Sequence, residues 1–257
     1  MGKVIAITNQ KGGVGKTTTA VNLSAYLATM GKRVLLIDID PQGNATSGMG
    51  IGKEEIVYSI YDLMIKRQNI NDVIIPTSIE NFHIIPSNIQ LAGAEIELVN
   101  MLSRETILRK IIGEIKDEYT FIIIDAPPSL GLLTINALAA ASWVIIPVQA
   151  EYYALEGLSQ LINTIELVKD HINPSLEVLG LLITMYDKRT NISQEVASQA
   201  KEFFREKVFK TIIPRSVRLS EAPSFGKPIN LYEPQSTGAR AYESLAKEVI
   251  ENWPKED

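Results

Sequence analysis

The chain reads as an α/β protein: a single-domain, doubly wound, mostly parallel sheet flanked by helices. Three observations predict this. Seven apolar runs rich in β-branched residues, at 4–8, 34–37, 82–85, 121–124, 143–148, 178–184 and 208–213, are nearly continuous rather than alternating. That is the pattern of strands buried on both faces. Segments with helical spacing, at 17–30, 133–141, 155–171, 194–206 and 239–252, lie among them, so strand and helix alternate along the chain. A glycine-rich stretch joins the first strand to the first helix.

The 257 residues are 46% hydrophobic and 21% charged, enough apolar surface for one core. No repeat, low-complexity tract or flexible linker divides them, so one domain over 1–257 is expected. There is no cysteine, which excludes disulfides, thiolate-held zinc, iron–sulfur clusters and a cysteine nucleophile. No apolar run reaches the roughly 18 residues of a membrane-spanning helix. The start of the chain enters a strand-like run without a signal-peptide pattern, and a cytoplasmic location is expected. Met1-Gly2 lacks the Ser or Thr at position 6 that myristoylation wants, and Asn44-Ala45-Thr46 is a glycosylation sequon only in a secreted chain.

The net charge of -5 hides a local excess. Residues 186–228 hold nine Lys/Arg against five Asp/Glu, so the rest of the chain carries -9. Composition leaves two readings of this stretch open, a solvated helix face or an anion-binding surface.

Gln10-Lys11-Gly12-Gly13-Val14-Gly15-Lys16-Thr17-Thr18 sits between a strand and a helix, where a phosphate-binding loop belongs. Glycines let backbone N–H groups turn inward toward phosphate oxygens. Lys11, Gly12, Gly13, Val14, Gly15, Lys16, Thr17 and Thr18 are therefore candidate ATP-binding residues. Lys16 would reach the β/γ-phosphates and Thr17 would ligate Mg²⁺. The loop departs from the simple pattern, because Gln10 replaces its first glycine and a second lysine, Lys11, follows. Lys11 is either a solvated lysine or a charge offered to a nucleotide across a dimer interface, as an arginine finger is.

Two further apolar strands end in carboxylates, Ile37-Asp38-Ile39-Asp40-Pro41-Gln42-Gly43 and Ile124-Asp125-Ala126-Pro127-Pro128. Ligands gather at the carboxyl ends of parallel strands. Asp125 fits a metal-holding role, and Asp38 and Asp40 share a face if the strand persists between them. One of that pair would then face the metal shell and the other orient an attacking water, although turn or cap carboxylates are the plainer alternative for each.

Lys11 to Thr18 resembles the deviant Walker motif of the ParA/MinD superfamily. The likeness runs on through Asp38-Ile39-Asp40-Pro41-Gln42-Gly43, Asp125-Ala126-Pro127-Pro128-Ser129, Gln149-Ala150-Glu151-Tyr152-Tyr153-Ala154-Leu155-Glu156-Gly157 and Ile213-Pro214-Arg215-Ser216-Val217-Arg218, nearest the chromosomal ParA branch. The resemblance implies an ATP-driven cycle. The protein would bind ATP and Mg²⁺, form a sandwich homodimer and bind double-stranded DNA without sequence preference. It would hydrolyse ATP, slowly alone, when stimulated by a ParB-type centromere-binding partner, and so be nucleoid-associated. By position, Lys11 acts in trans, Lys16 holds phosphate, and Thr17, Asp38 and Asp125 form the metal shell. Asp40 positions the attacking water, and Pro214 and Arg215 lie against the adenine. Arg189 and Arg218, with Lys188 beside them, contact DNA.

Two relatives of this loop fit less well. A membrane-positioning ATPase of the MinD kind uses a basic amphipathic C-terminal helix, but residues 240–257 hold five acidic side chains against three basic ones. Nitrogenase-type reductases need cysteines. A small-molecule kinase or ligase stays open as the second reading, as does a switch whose assembly on DNA matters more than its turnover. The chain starts at the first strand, so no N-terminal helix-turn-helix is expected.

Overall fold

The computed structural model describes residues 2–151 and 157–251. Its strands are β1 (Lys3–Ile7), β2 (Val34–Asp38), β3 (Ile75–Pro76), β4 (Phe82–Ile85), β5 (Phe121–Asp125), β6 (Trp143–Gln149) and β7 (Glu177–Thr184). They form one sheet in the order β3, β4, β2, β5, β1, β6, β7, parallel throughout except where β3 meets β4. The helices are α1 (Lys16–Thr29), α2 (Asn44–Gly48), α3 (Ile60–Met64), α4 (Leu91–Leu98), α5 (Ile107–Gly113), α6 (Leu132–Ala140), α7 (Leu158–His171), α8 (Asn191–Phe204), α9 (Val217–Glu221), α10 (Ile229–Tyr232) and α11 (Thr237–Glu251).

The near-continuous apolar runs divide by alternation into two cores. Val4, Ala6, Leu35, Ile37, Ile122 and Ile124 face the core covered by α3 to α8. Ile5, Ile7, Val34, Leu36, Phe121 and Ile123 face the other, covered by α1 and α11. Each fully buried aliphatic side chain contributes roughly 1.5–3 kcal/mol of transfer free energy. A polar residue at any of these positions would lose that term on whichever face it pointed to, which is why the central strands β1, β2 and β5 are apolar on both faces.

One expected strand is not formed. Residues 208–213 run beside β7 but make only isolated bridges, Leu181 with Val208 and Tyr186 with Pro214. Phe209 and Ile213 donate to Leu181 and Ile183 of β7. Between them, the N–H groups of Lys210 and Thr211 donate to the Glu248 carboxylate of α11, at 2.7 and 2.9 Å, so the ladder is interrupted by a side chain. β3, a two-residue edge strand containing a proline, carried no usable sequence signal. The helix expected over 155–171 is described from Leu158. Residues 155 and 156, and the expected terminus at Asn252, lie outside the described residues.

The topology positions the site. Ile7 of β1, Asp125 of β5 and Asp38 of β2 are register partners across the three central strands. The loops that follow all three strands therefore leave the sheet at one level, at the carboxyl edge where the strand order reverses.

Candidate nucleotide site

The loop after β1 ends at Gly15, whose φ of 89° is left-handed backbone that a side chain rarely adopts. This bend starts α1 at Lys16. The helix therefore presents its first N–H groups and positive dipole end where an anion would sit. Side-chain hydrogen bonds fix the loop from outside, among them Gln10 Nε2 to the Gly157 carbonyl at 2.6 Å. Asn9, buried, donates through Nδ2 to the Pro147 carbonyl at 2.7 Å and accepts the Lys11 N–H at 3.0 Å. Thr184, at the end of β7, donates its hydroxyl to the Val14 carbonyl at 2.8 Å. The Lys16 ammonium spans the loop to the Lys11 carbonyl at 3.1 Å.

A cleft of about 490 Å³ opens over this loop, lined by Gly12, Gly13, Gly15, Lys16, Thr17 and Thr18 and closed opposite by Asp40, Asn44, Pro128, Met185, Lys227 and Pro228. A second cavity of about 310 Å³ shares Gly15, Thr18 and Met185 with it and is walled by Pro214 and Arg215. One cavity at the loop and another adjoining it past the helix start suit a molecule with a phosphate chain and a flat base. Lys11 lines neither. It borders a separate open depression with Gln10, Ser129, Leu130, Gly157 and Gln160, and Pro128 forms the ridge between that depression and the cleft.

The three carboxylates divide by environment. β2 ends at Asp38, so the face that Asp38 and Asp40 would share along a continuing strand does not exist. The chain turns instead, and the Asp38 carboxylate accepts Asp40 N–H at 3.1 Å, Thr46 N–H at 2.9 Å and the Thr46 hydroxyl at 2.7 Å. Burial nevertheless raises its pKa to about 6. Asp40 faces the cleft and accepts the Gln42 N–H at 2.9 Å. Asp125 is fully buried, and neither of its oxygens has a hydrogen-bond partner among the described residues. Burial first, then the neighbouring Asp38 charge, pushes its pKa well above the usual carboxylate range. The nearby Thr17 hydroxyl and Lys16 ammonium pull the other way. Burial lowers the Lys16 pKa, while Asp125 and Asp40 favour its charged form.

This donor set fits Mg²⁺. An orphaned buried carboxylate beside a hydroxyl at the foot of a phosphate loop supplies the hard oxygen atoms the ion takes, and phosphate oxygens and water supply the rest. Among the described residues no group of three or more acidic or His side chains is assembled to hold a metal by itself.

A family described as AAA domain matches residues 2–178. Sporulation initiation inhibitor protein Soj of Bacillus subtilis is 61% identical over 252 residues, 98% of this chain and 100% of the relative. The chromosome-partitioning ATPase Soj of Treponema pallidum is 52% identical over 250 residues, 97% of this chain and 98% of that protein. The chain belongs to the Soj and ParA family of chromosome-partitioning ATPases. Among solved structures, cobyrinic acid a,c-diamide synthase of Mycobacterium smegmatis, crystallised with ADP and magnesium, superposes with a TM-score of 0.88 at 36% identity. That match covers 99% of this chain and 96% of the synthase.

The DNA-contacting candidates do not line the cleft. Lys188 and Arg189 follow β7, and Arg218 lies on α9. All three are exposed, and both arginines are ion-paired. Arg189 makes a two-pronged bond to Asp187, at 2.9 and 2.7 Å, and Arg218 bonds Glu221 at 2.9 Å. The Arg189 guanidinium holds the Asp187 carboxyl below its usual range. Residues 152–156 of the matching motif lie outside the described residues.

Sequence reasoning passed over Asn9, Asn22 and Thr184. Asn22 was detectable in principle as a lone amide in the apolar run Ala20-Val21-Asn22-Leu23, but its partner, Ile229, is 207 positions away.

Proposed function

We propose that this protein is a chromosome-partitioning ATPase whose ATP state is a homodimer bound to double-stranded DNA without sequence preference. Hydrolysis, stimulated by a ParB-type centromere-binding partner, resets it. The observation that carries this reading is the position of Lys11, which belongs to the phosphate loop yet borders an open depression outside its own cleft. A lysine so placed suits the nucleotide of a second copy better than its own.

In this reading backbone N–H groups of Gly12 to Thr18 cradle the phosphates, and Lys16 leaves the Lys11 carbonyl to pair with them. The Thr17 hydroxyl and Asp125 would hold Mg²⁺, which when bound would supply positive charge to the phosphate chain. Asp38 supports this shell from behind by fixing Thr46 and the turn at Asp40. Asp40, facing the cleft, orients the attacking water. Pro214 and Arg215 wall the base cavity. Lys188, Arg189 and Arg218 contact DNA phosphates, which explains a basic segment in an acidic protein and gives binding without sequence reading. The protein would act in the cytoplasm, on the nucleoid.

ATP turnover measured alone, with DNA, and with DNA plus the ParB-type partner tests this. The reading expects low turnover alone and marked stimulation only in the full mixture. The likeness to a diamide synthase favours a second reading, a small-molecule ligase. Phosphate release that depends on a small acid and an amine donor, and ignores DNA, would establish that one instead.

A further inference from the structure

We infer that Glu221 is the positioning residue for Arg218, and that a path from the phosphate loop through Asn22, the single turn of α10 and Tyr232 makes its grip on the arginine depend on the bound nucleotide. The inference rests on the DNA-binding reading above and adds to it the means by which the nucleotide controls one DNA contact.

Asn22 is a buried amide in the middle of α1. Its Nδ2 donates to the Thr18 carbonyl at 2.7 Å, and its Oδ1 accepts the N–H of Ile229, the first residue of α10, at 2.7 Å. Both ends of this largely buried amide are therefore satisfied. Moving either partner alone would strand a buried polar group, so the start of α10 follows the first turn of α1. Asn22 also lines the nucleotide cleft, together with Lys227 and Pro228, which lead into α10.

α10 is a single turn, and its last residue, Tyr232, carries the path onward. The Tyr232 hydroxyl donates to Glu221 Oε2 at 3.2 Å, and Arg218 Nη1 donates to the same oxygen at 2.9 Å. The Tyr232 ring is stacked on Phe225, with centroids 4.9 Å apart and planes at 29°, so the hydroxyl is held at a defined place. One carboxylate oxygen thus serves a tyrosine tied to the phosphate loop and an arginine that is 54% exposed. An ion-paired guanidinium has one edge occupied and its charge offset, so Glu221 competes with a DNA phosphate for Arg218.

A second contact joins the same segment to the other side of the cleft. A Cβ on Gly226 would lie 2.5 Å from the Gly50 Cα, so the segment after α9 rests directly on the turn after α2. α2 carries Thr46, the partner of Asp38. The surroundings of Arg218 therefore touch both loops that border the cleft.

The test is DNA affinity of the full chain with ATP and with ADP, for the unmodified protein, Tyr232→Phe and Glu221→Gln, with ATP affinity and melting temperature measured alongside. Tyr232→Phe removes the hydroxyl and keeps the ring on Phe225. It is expected to leave ATP affinity and melting nearly unchanged while shrinking the ATP-to-ADP ratio of DNA affinities about 5-fold or more, the lower end of typical allosteric coupling. Glu221→Gln is expected to shrink the same ratio by raising affinity in the ADP state. An unchanged ratio in both variants overturns the inference. An unmodified protein that binds DNA equally in both states overturns the partition reading as well, so the first measurement separates the two failures.

Discussion

Asp38 and Asp125 stand opposite each other across β2 and β5, and only Asp38 has its carboxylate hydrogen-bonded. Two acids of the same type at the same level of the sheet are thereby given different work. Asp38 ties the β2 turn to α2, and Asp125 is left with its oxygens available beside Thr17.

The unpartnered carboxylate costs stability in the protein without nucleotide. Asp125→Asn should stabilise that state by about 1–3 kcal/mol, because an amide is cheaper to bury than a carboxylate whose ionised form burial disfavours. For a chain of this size that is a rise of several degrees in melting temperature. The same variant should lose most of the further rise that Mg²⁺ with ATP gives the unmodified protein. Melting curves with and without Mg²⁺–ATP check both halves, and a lower melting temperature without nucleotide would contradict the account.

A pH dependence follows from the same pair. The folded Asp38 titrates at about 6 and Asp125 well above its ordinary value, both raised chiefly by burial. The folded state therefore binds these protons more tightly than the unfolded chain. Their contribution to stability is complete below about pH 4, where the unfolded carboxylates are protonated as well. It is lost as pH rises through 6 and beyond. Melting temperature of the nucleotide-free protein should fall across this window, and Asp125→Asn should flatten the fall. A melting temperature that rises from pH 5 to 8 in the unmodified protein, and does so unchanged in the variant, would count against it.

Much of this site was legible in the sequence because its parts are contiguous. The loop from Lys11 to Thr18 and the acid-tipped runs ending at Asp38 and Asp125 each carry their signal within about ten residues. What stayed hidden depends on partners far along the chain. Nothing near residues 208–213 shows that Glu248 takes the N–H groups of Lys210 and Thr211 and breaks the ladder. Nothing near Asn22 announces Ile229, or near Thr184 the carbonyl of Val14. The expected shared face of Asp38 and Asp40 failed for a local reason: the Asp38 side chain captures the Asp40 N–H and turns the chain out of the strand.

The two lysines of the loop should separate cleanly. Lys16→Ala removes the ammonium inside the cleft and should weaken ATP binding by about tenfold or more, the loss of a charge-assisted contact. Lys11→Ala should leave binding of ATP by the monomer nearly unchanged while abolishing ATP-dependent dimerisation and partner-stimulated turnover. Nucleotide titration and sedimentation in ATP check the pair. A Lys11→Ala protein that still dimerises and turns over normally would remove the lysine from the trans role.

Asp40 faces the cleft with one oxygen committed to Gln42 N–H and is assigned to the attacking water. Asp40→Ala should lower stimulated turnover by about 10²-fold or more, the usual contribution of a positioned acid–base group. It should leave the protein bound to ATP, dimeric and on DNA. Turnover at the unmodified rate would take Asp40 out of the mechanism.

The central claim is a nucleotide-gated grip on DNA, and one binding experiment addresses it most directly. DNA affinity is measured with ATP, with ADP and without nucleotide, at two salt concentrations, for the unmodified protein and an Arg189→Ala/Arg218→Ala double variant. The account predicts binding in ATP that weakens steeply with salt, and in the double variant a large loss together with a shallower salt dependence, each phosphate contact contributing about 0.9 to the logarithmic slope. Equal binding in every nucleotide state, or none in any, would contradict it.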